Sequence, residues 1–430
     1  MDYTKAKGVF DILPYEATEE DKWRESSLWQ YLEEVLRTTS QNYGFKEIRT
    51  PIFEKTELFI RGVGESSDIV SKEMYTFLDR GERSMTLRPE GTASVVRSFV
   101  ENKLYAQTTL HKYFYIGPMF RYERPQAGRY RQHHQFGAEA IGIGKPEQDV
   151  ELIDMACAIY RKLGLENLTV QINSVGDAPS RAAYKQALSD YLTPFFAGLS
   201  EDSQTRFTKN ILRILDSKSP QDQKILEQAP ILEDYLTPES KGHFAAVLHH
   251  LKKLGLNYAV NPKLVRGLDY YTKTVFEVTT EAQGAQNSVG GGGRYDGLIH
   301  AVGGPDLPAV GFATGMERIL QTLLKQGCKH PAPSAPLLFV IPMGEEATEA
   351  AFDLVCRLRR EGIPCDLDLS GKKVQSGLQL ASQLCAEYAL VIGDEELKTK
   401  NIQLKKMATR EAIPSTLDTV ADLLKDLRSK

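Results

Sequence analysis

Apolar residues recur at helical spacing between positions 19 and 43, at Trp23, Leu28, Tyr31, Leu32, Val35 and Leu36, and the pattern stops at Gly44. This predicts a helix closed by a C′ glycine. The stretch FKEIRTPIFEKTELFIRGVGE then reads as a strand broken by Pro51, followed by a helix. From about 84 to 142 strand patterns dominate, with one helix near 91–104. Residues 178–253 change character: charged, rich in Lys, Glu, Gln and Leu and without strand pattern, they predict a helical insertion. Strand-like, glycine-rich sequence resumes over 257–318. The proline-marked stretch KQGCKHPAPSAP then separates a tail in which strand and helix patterns alternate. In that tail LLFVIPM, CDLDL, YALVIG and NIQLKKM read as strands, 345–361 and 372–387 as helices, and a last helix closes a small α/β unit. The expected division is 1–327 with its insertion at about 178–253, a linker at 328–336, and the α/β unit at 337–430.

The segment FRYERPQAGRYRQHHQFGAEAIG (120–142) holds Arg121, Arg124, Arg129 and Arg131 within eleven residues. Read as strands over 111–123 and 131–141, its side chains alternate across the sheet. Ile116, Pro118, Phe120, Tyr122, Phe136, Ala138 and Ala140 fall on one mostly apolar face. The other face gathers Arg121, Glu123, Arg131, His133, Gln135 and the lone acid Glu139 around Gly117 and Gly137. A solvated hairpin face is the plain reading. Solvated faces favour Lys and Thr over Gly, Gln and lone acids, which points instead to a concave floor for a small molecule carrying both signs of charge.

Further stretches point the same way. TLRPEGT offers Glu90 and Thr92 just before a helix, where orphan backbone N–H groups gather. LVRGLDYYT carries Arg266, Tyr270 and Tyr271, and SVGGGGRYDGLI sets four glycines before Arg294 and Tyr295. GFATGMER runs a strand into a helix with Arg318 in its early turns. Neither a Walker A loop nor a dinucleotide fingerprint is present, and no nucleophile–base pair is apparent. The excess is of arginines, glycines and a few acids. Such an inventory suits chemistry that needs charge stabilisation and alignment, with phosphoryl or nucleotidyl transfer the leading example.

Composition adds limits. The 53 Lys and Arg against 57 Asp and Glu leave a net charge of −4, so a nucleic-acid partner must be met by local patches. The stretch Gly371–Arg410, with seven basic residues against four acids, is a candidate for one and reads equally as a solvated face. Five scattered cysteines without a C-x-x-C pair suit a reducing cytosol, and no signal peptide or membrane span is expected. The expected location is the cytoplasm, with no membrane partner.

In this order, TLRPEGT, FRYERPQAGRYRQHHQFGAE, LVRGLDYYT, GGGRYDGL and GFATGMER resemble the histidyl-tRNA synthetases, a family of class II aminoacyl-tRNA synthetases, along the whole chain. The resemblance implies an α+β catalytic domain on an antiparallel sheet, a helical insertion, a C-terminal α/β anticodon-binding domain, and a homodimer formed around Pro51. It implies activation of L-histidine by ATP, with Mg²⁺ on the phosphates and no metal ligand assigned to a protein side chain, followed by transfer to tRNA(His). By the same resemblance Arg121 holds the α-phosphate and the histidine carboxylate, Arg318 the γ-phosphate, and Arg266 the reacting carboxylate and α-phosphate. Glu123 and Arg129 match further ATP contacts. Glu139 and Tyr271 match the imidazole partners, and Glu90, Thr92 and Gln135 the shell around the ammonium. Tyr270 and Tyr295 complete the pocket, while Arg124 and Gln126 would lie near the tRNA acceptor end. His133 departs from the pattern, standing where the family usually stacks a Phe on adenine.

Two rivals share this fold: a histidine-sensing regulatory paralogue, like the ATP phosphoribosyltransferase regulatory subunit, that makes no adenylate, and a pseudo-synthetase sensor domain. The first commonly lacks the catalytic arginines and the anticodon domain, both expected here. The second is attached to a kinase, whose motifs do not occur in this chain.

Overall fold

The first amphipathic segment forms a short 3-10 turn over Glu19–Arg24 and an α-helix over Ser26–Asn42, with Gly44 at φ +79° behind it. The helix buries Leu28, Trp29, Leu32 and Leu36 in the largest apolar core. The computed structural model describes residues 3–15, 18–64, 67, 69–122, 129–281 and 288–428. It divides into two units, Met1–Pro331 and Ala332–Lys430.

In the first unit an eight-stranded sheet runs in the order Lys46–Glu47, His111–Phe120, Gln132–Ile141, Ala309–Gly315, Ser288–Arg294, Thr272–Thr279, Thr169–Ser174, Tyr258–Val260. The inner pairings are antiparallel, as expected. Both edge pairings are parallel, so the sheet as a whole is mixed. Parallel neighbours need a long crossover, and the helices of 178–253 lie between the strands Thr169–Ser174 and Tyr258–Val260. Most of these helices build a core of their own, in which Tyr184, Leu188, Leu192 and Ile214 meet Leu264, Tyr271 and Val275. The last of them, Pro238–Lys253, instead buries Phe244, Val247 and Leu251 in the main core.

The hairpin register pairs Gly117 with Gln135 and Met119 with His133, which keeps the odd-numbered residues on one face. The even-numbered Phe136, Ala138 and Ala140 pack into the main core. A smaller sheet joins Phe53–Lys55, Ser84–Leu87 and Tyr75–Leu78.

The second unit orders its strands Cys365–Leu367, Leu338–Pro342, Tyr388–Ile392, Asn401–Lys406, Ala412–Thr416, the first three parallel and the last two antiparallel. The strand Ala412–Thr416 and the short helix Asp394–Thr399 add to the expected elements. Pro414 hides the strand in the sequence, yet an edge strand tolerates a residue that cannot donate.

Candidate active site

A cavity of about 480 Å³ opens on the odd-numbered face of the hairpin. Glu90, Thr92, Arg121, Arg129, His133, Gln135, Glu139, Arg266, Tyr270, Tyr271, Tyr295 and Arg318 all line it. The sequence-predicted residues on five separate stretches are thus brought together. Glu123, Arg124 and Gln126 lie outside the described residues.

Glu139 lines the cavity and is only 1% exposed. Its carboxylate accepts from Thr92 Oγ1 at 2.7 Å and from the Tyr295 hydroxyl. The phenol in hydrogen-bond contact is therefore Tyr295, with Tyr271 on the same wall. Burial pushes the Glu139 carboxyl up from an ordinary 4.5 to about 8, because the hydroxyl donors do not make up for lost solvation. Gly311 makes room for it, since a Cβ there would stand 1.7 Å from Glu139 Oε2. Gly291 does the same for Arg266, whose Nη1 would lie 3.0 Å from such a carbon. Glycines on two paired strands, Ser288–Arg294 and Ala309–Gly315, thus admit the protein's own side chains to the cavity.

Glu90 is buried at the start of the helix Thr92–Glu101 and accepts from the backbone N–H of Thr92 and of Ala93, each at 2.8 Å. Burial raises its pKa, and these donors oppose the rise. One carboxylate thus caps a helix and faces the cavity. His133 is pushed down to about 3 by burial and by the charges of Arg121 and His134, so its ring is neutral at physiological pH.

The arginines are held by fixed acceptors. Arg121 Nε donates to Pro89 O at 2.8 Å, and Arg318, in the first turn of the helix Met316–Gln326, donates to Ser288 O at 2.9 Å. Arg266 pairs with Glu277 on the strand Thr272–Thr279, its side chain still 23% exposed. Glu277 and Arg213 also line the cavity and were not singled out in the sequence. Glu277 carries the same signal as Glu139, a lone acid in an apolar strand (VFEV), whereas Arg213 sits in the helical insertion with no local mark.

A largely antiparallel sheet whose face collects arginines over a cavity is the class II aminoacyl-tRNA synthetase fold, and the chain carries a separate α/β unit after it. Residues 8–319 match the histidyl-tRNA synthetase family model, and 338–427 match an anticodon binding domain. A histidine–tRNA ligase of Protochlamydia amoebophila is 55% identical over 426 residues, covering 99% of this chain and 100% of the relative. One of Chlamydia pneumoniae is 48% identical, covering 99% and 98%. The crystal structure of apo S. aureus histidyl-tRNA synthetase aligns with a TM-score of 0.83 at 38% identity, covering 99% of this chain and all of that one. The chain belongs to the histidyl-tRNA synthetase family, the histidine–tRNA ligases among the aminoacyl-tRNA ligases.

Proposed function

We propose that the cavity activates L-histidine with ATP to histidyl-adenylate and passes histidine to tRNA(His), releasing AMP and diphosphate. The observation that carries this reading is the joint placement of a buried acid, Glu139, and three arginines, Arg121, Arg266 and Arg318, on one cavity. Glu139 and the phenols of Tyr271 and Tyr295 offer partners to both imidazole nitrogens. An isostere without those nitrogens would leave the acid buried and unmatched. Glu90, Thr92 and Gln135 take the ammonium, and Tyr270 closes the pocket.

Arg121 and Arg266 hold the reacting carboxylate against the α-phosphate, while Arg129 and Arg318 serve the terminal phosphates. The carboxylate oxygen attacks phosphorus and diphosphate leaves, so no general base is required. The neutral ring of His133 suits stacking on adenine. Glu123 is assigned to adenine, and Arg124 and Gln126 to the acceptor end of the tRNA. Mg²⁺ would arrive on the phosphates, with Glu277, which lines the cavity, able to add a carboxylate oxygen. When bound, the ion supplies charge neutralisation to the triphosphate.

The second unit reads the anticodon. Exposed Ile52, Phe53, Phe77 and Leu78 around the small sheet favour a second copy of the chain as partner. No helix among the described residues is long and apolar enough to cross a membrane. The regulatory paralogue is disfavoured, because the three arginines and the second unit are both present. The deciding measurement is ATP–pyrophosphate exchange with a panel of amino acids and no RNA. Histidine alone should support exchange, and exchange with another amino acid or with none would overturn the reading.

A further inference from the structure

The segment 264–271 carries Arg266, Tyr270 and Tyr271 into the cavity, yet it is held from behind by the helical insertion. Arg181, on the helix Ala178–Leu192, donates Nη1 to the Tyr271 carbonyl at 2.7 Å. Asn210, at the end of the helix Glu201–Lys209, donates Nδ2 to Asp269 Oδ1 at 2.8 Å, and Arg213 donates to the Gly267 carbonyl. Tyr271 is itself part of the insertion's apolar core. The catalytic sheet holds the start of the segment, through Asn173 Nδ2 donating to the Leu264 carbonyl at 3.1 Å and the Arg266–Glu277 pair, while the Asp269 N–H reaches Val63 O at a longer 3.3 Å.

We propose that Arg181 and Asn210 are positioning residues for histidine recognition. They clamp the wall that carries Arg266 and Tyr271, so the insertion sets the width of the amino-acid pocket. The physical reason is local. The segment 264–271 has no helix or strand of its own to fix its backbone, and a displacement of about 1 Å at a reacting centre costs roughly 10²-fold in rate. Donors from a separately packed core remove that freedom without touching substrate.

The proposal rests on the histidine-activating reading, and the test separates the two. Wild-type protein must first support histidine-dependent exchange, and its failure to do so would count against that reading. The variant N210D then sets a carboxylate against Asp269 at almost unchanged volume. It should raise the KM for histidine by about tenfold or more while leaving the KM for ATP within about twofold. The exchanged pair N210D/D269N restores a donor facing an acceptor and should recover most of the loss. Should N210D fail to accumulate as folded protein, R181K carries the same test. It keeps a charge but loses the guanidinium reach to the Tyr271 carbonyl. An unchanged histidine KM, equal changes in both KM values, or no recovery in the exchanged pair would overturn the proposal.

Discussion

Two fully buried carboxylates lie on either side of adjacent residues, Arg294 and Tyr295, and they have opposite fates. Asp149 is ion-paired with Arg294, both side chains being 0% exposed. The Arg294 guanidinium is further satisfied by Asp296 at 3.1 Å, Ile143 O at 3.3 Å and Lys145 O at 3.2 Å. Burial alone would raise the Asp149 pKa, but nearby His243 and the Arg294 charge outweigh it and hold the carboxyl below its usual range. Glu139, one residue along at Tyr295, accepts only from hydroxyls among the described residues and rises to about 8. A buried acid that keeps its cation is architecture. A buried acid whose hydrogen-bonded partners are hydroxyls alone is a site suited to a ligand that brings the missing N–H.

The largest effect should come from breaking the matched pair. Asp149→Asn leaves the buried Arg294 with only the partly exposed Asp296 as counter-charge and should cost up to about 3–5 kcal/mol in denaturant unfolding. Glu139→Gln should cost less than about 1 kcal/mol at pH 7, because the native acid is then mostly protonated. Equal costs for the two substitutions would erase the contrast.

Next in size is the arginine that stays partly wet. Arg266→Ala should lower the kcat of ATP–pyrophosphate exchange by roughly 10²–10³, with little change in the KM for histidine. Arg266 pairs with a carboxylate at the cavity edge and is not enclosed like Arg294, so its loss should spare stability. A normal exchange turnover would remove it from the chemistry.

Measured one pH unit at a time, the last and smallest effect sharpens the comparison through pH. The folded pKa of Glu139, about 8, lies above the ordinary 4.5, so the folded protein holds a proton that the unfolded chain has lost between those values. Stability from this group is therefore full below about pH 4.5 and declines as pH rises toward 8, by up to about 1.4 kcal/mol per pH unit. Ligand-free wild type should show that decline relative to Glu139→Gln in denaturation at several pH values. Parallel curves would mean that Glu139 does not titrate in this window.

Much of the cavity floor was legible from alternation alone. A strand's two-residue period is local, so His133, Gln135 and Glu139 share a face whatever the strand pairs with. Helix ends were equally local, as at Gly44 and at Met316–Gln326, because caps and periodicity lie within a few residues. The motif order carried the family for the same reason, since each motif is a contiguous stretch.

Only the tertiary structure decided which groups answer one another. Tyr295 meets Glu139 across 156 residues of sequence, and Arg294 meets Asp149 across 145. The parallel edge strands, the approach of Arg213 from the insertion, and the glycines that admit Glu139 and Arg266 are likewise products of distant segments packed together. Periodicity tells a side chain which face to take. Whether a buried charge finds its counter-charge depends on chain segments that local patterns do not see, and at Glu139 and Asp149 that pairing separates a candidate binding site from structural core.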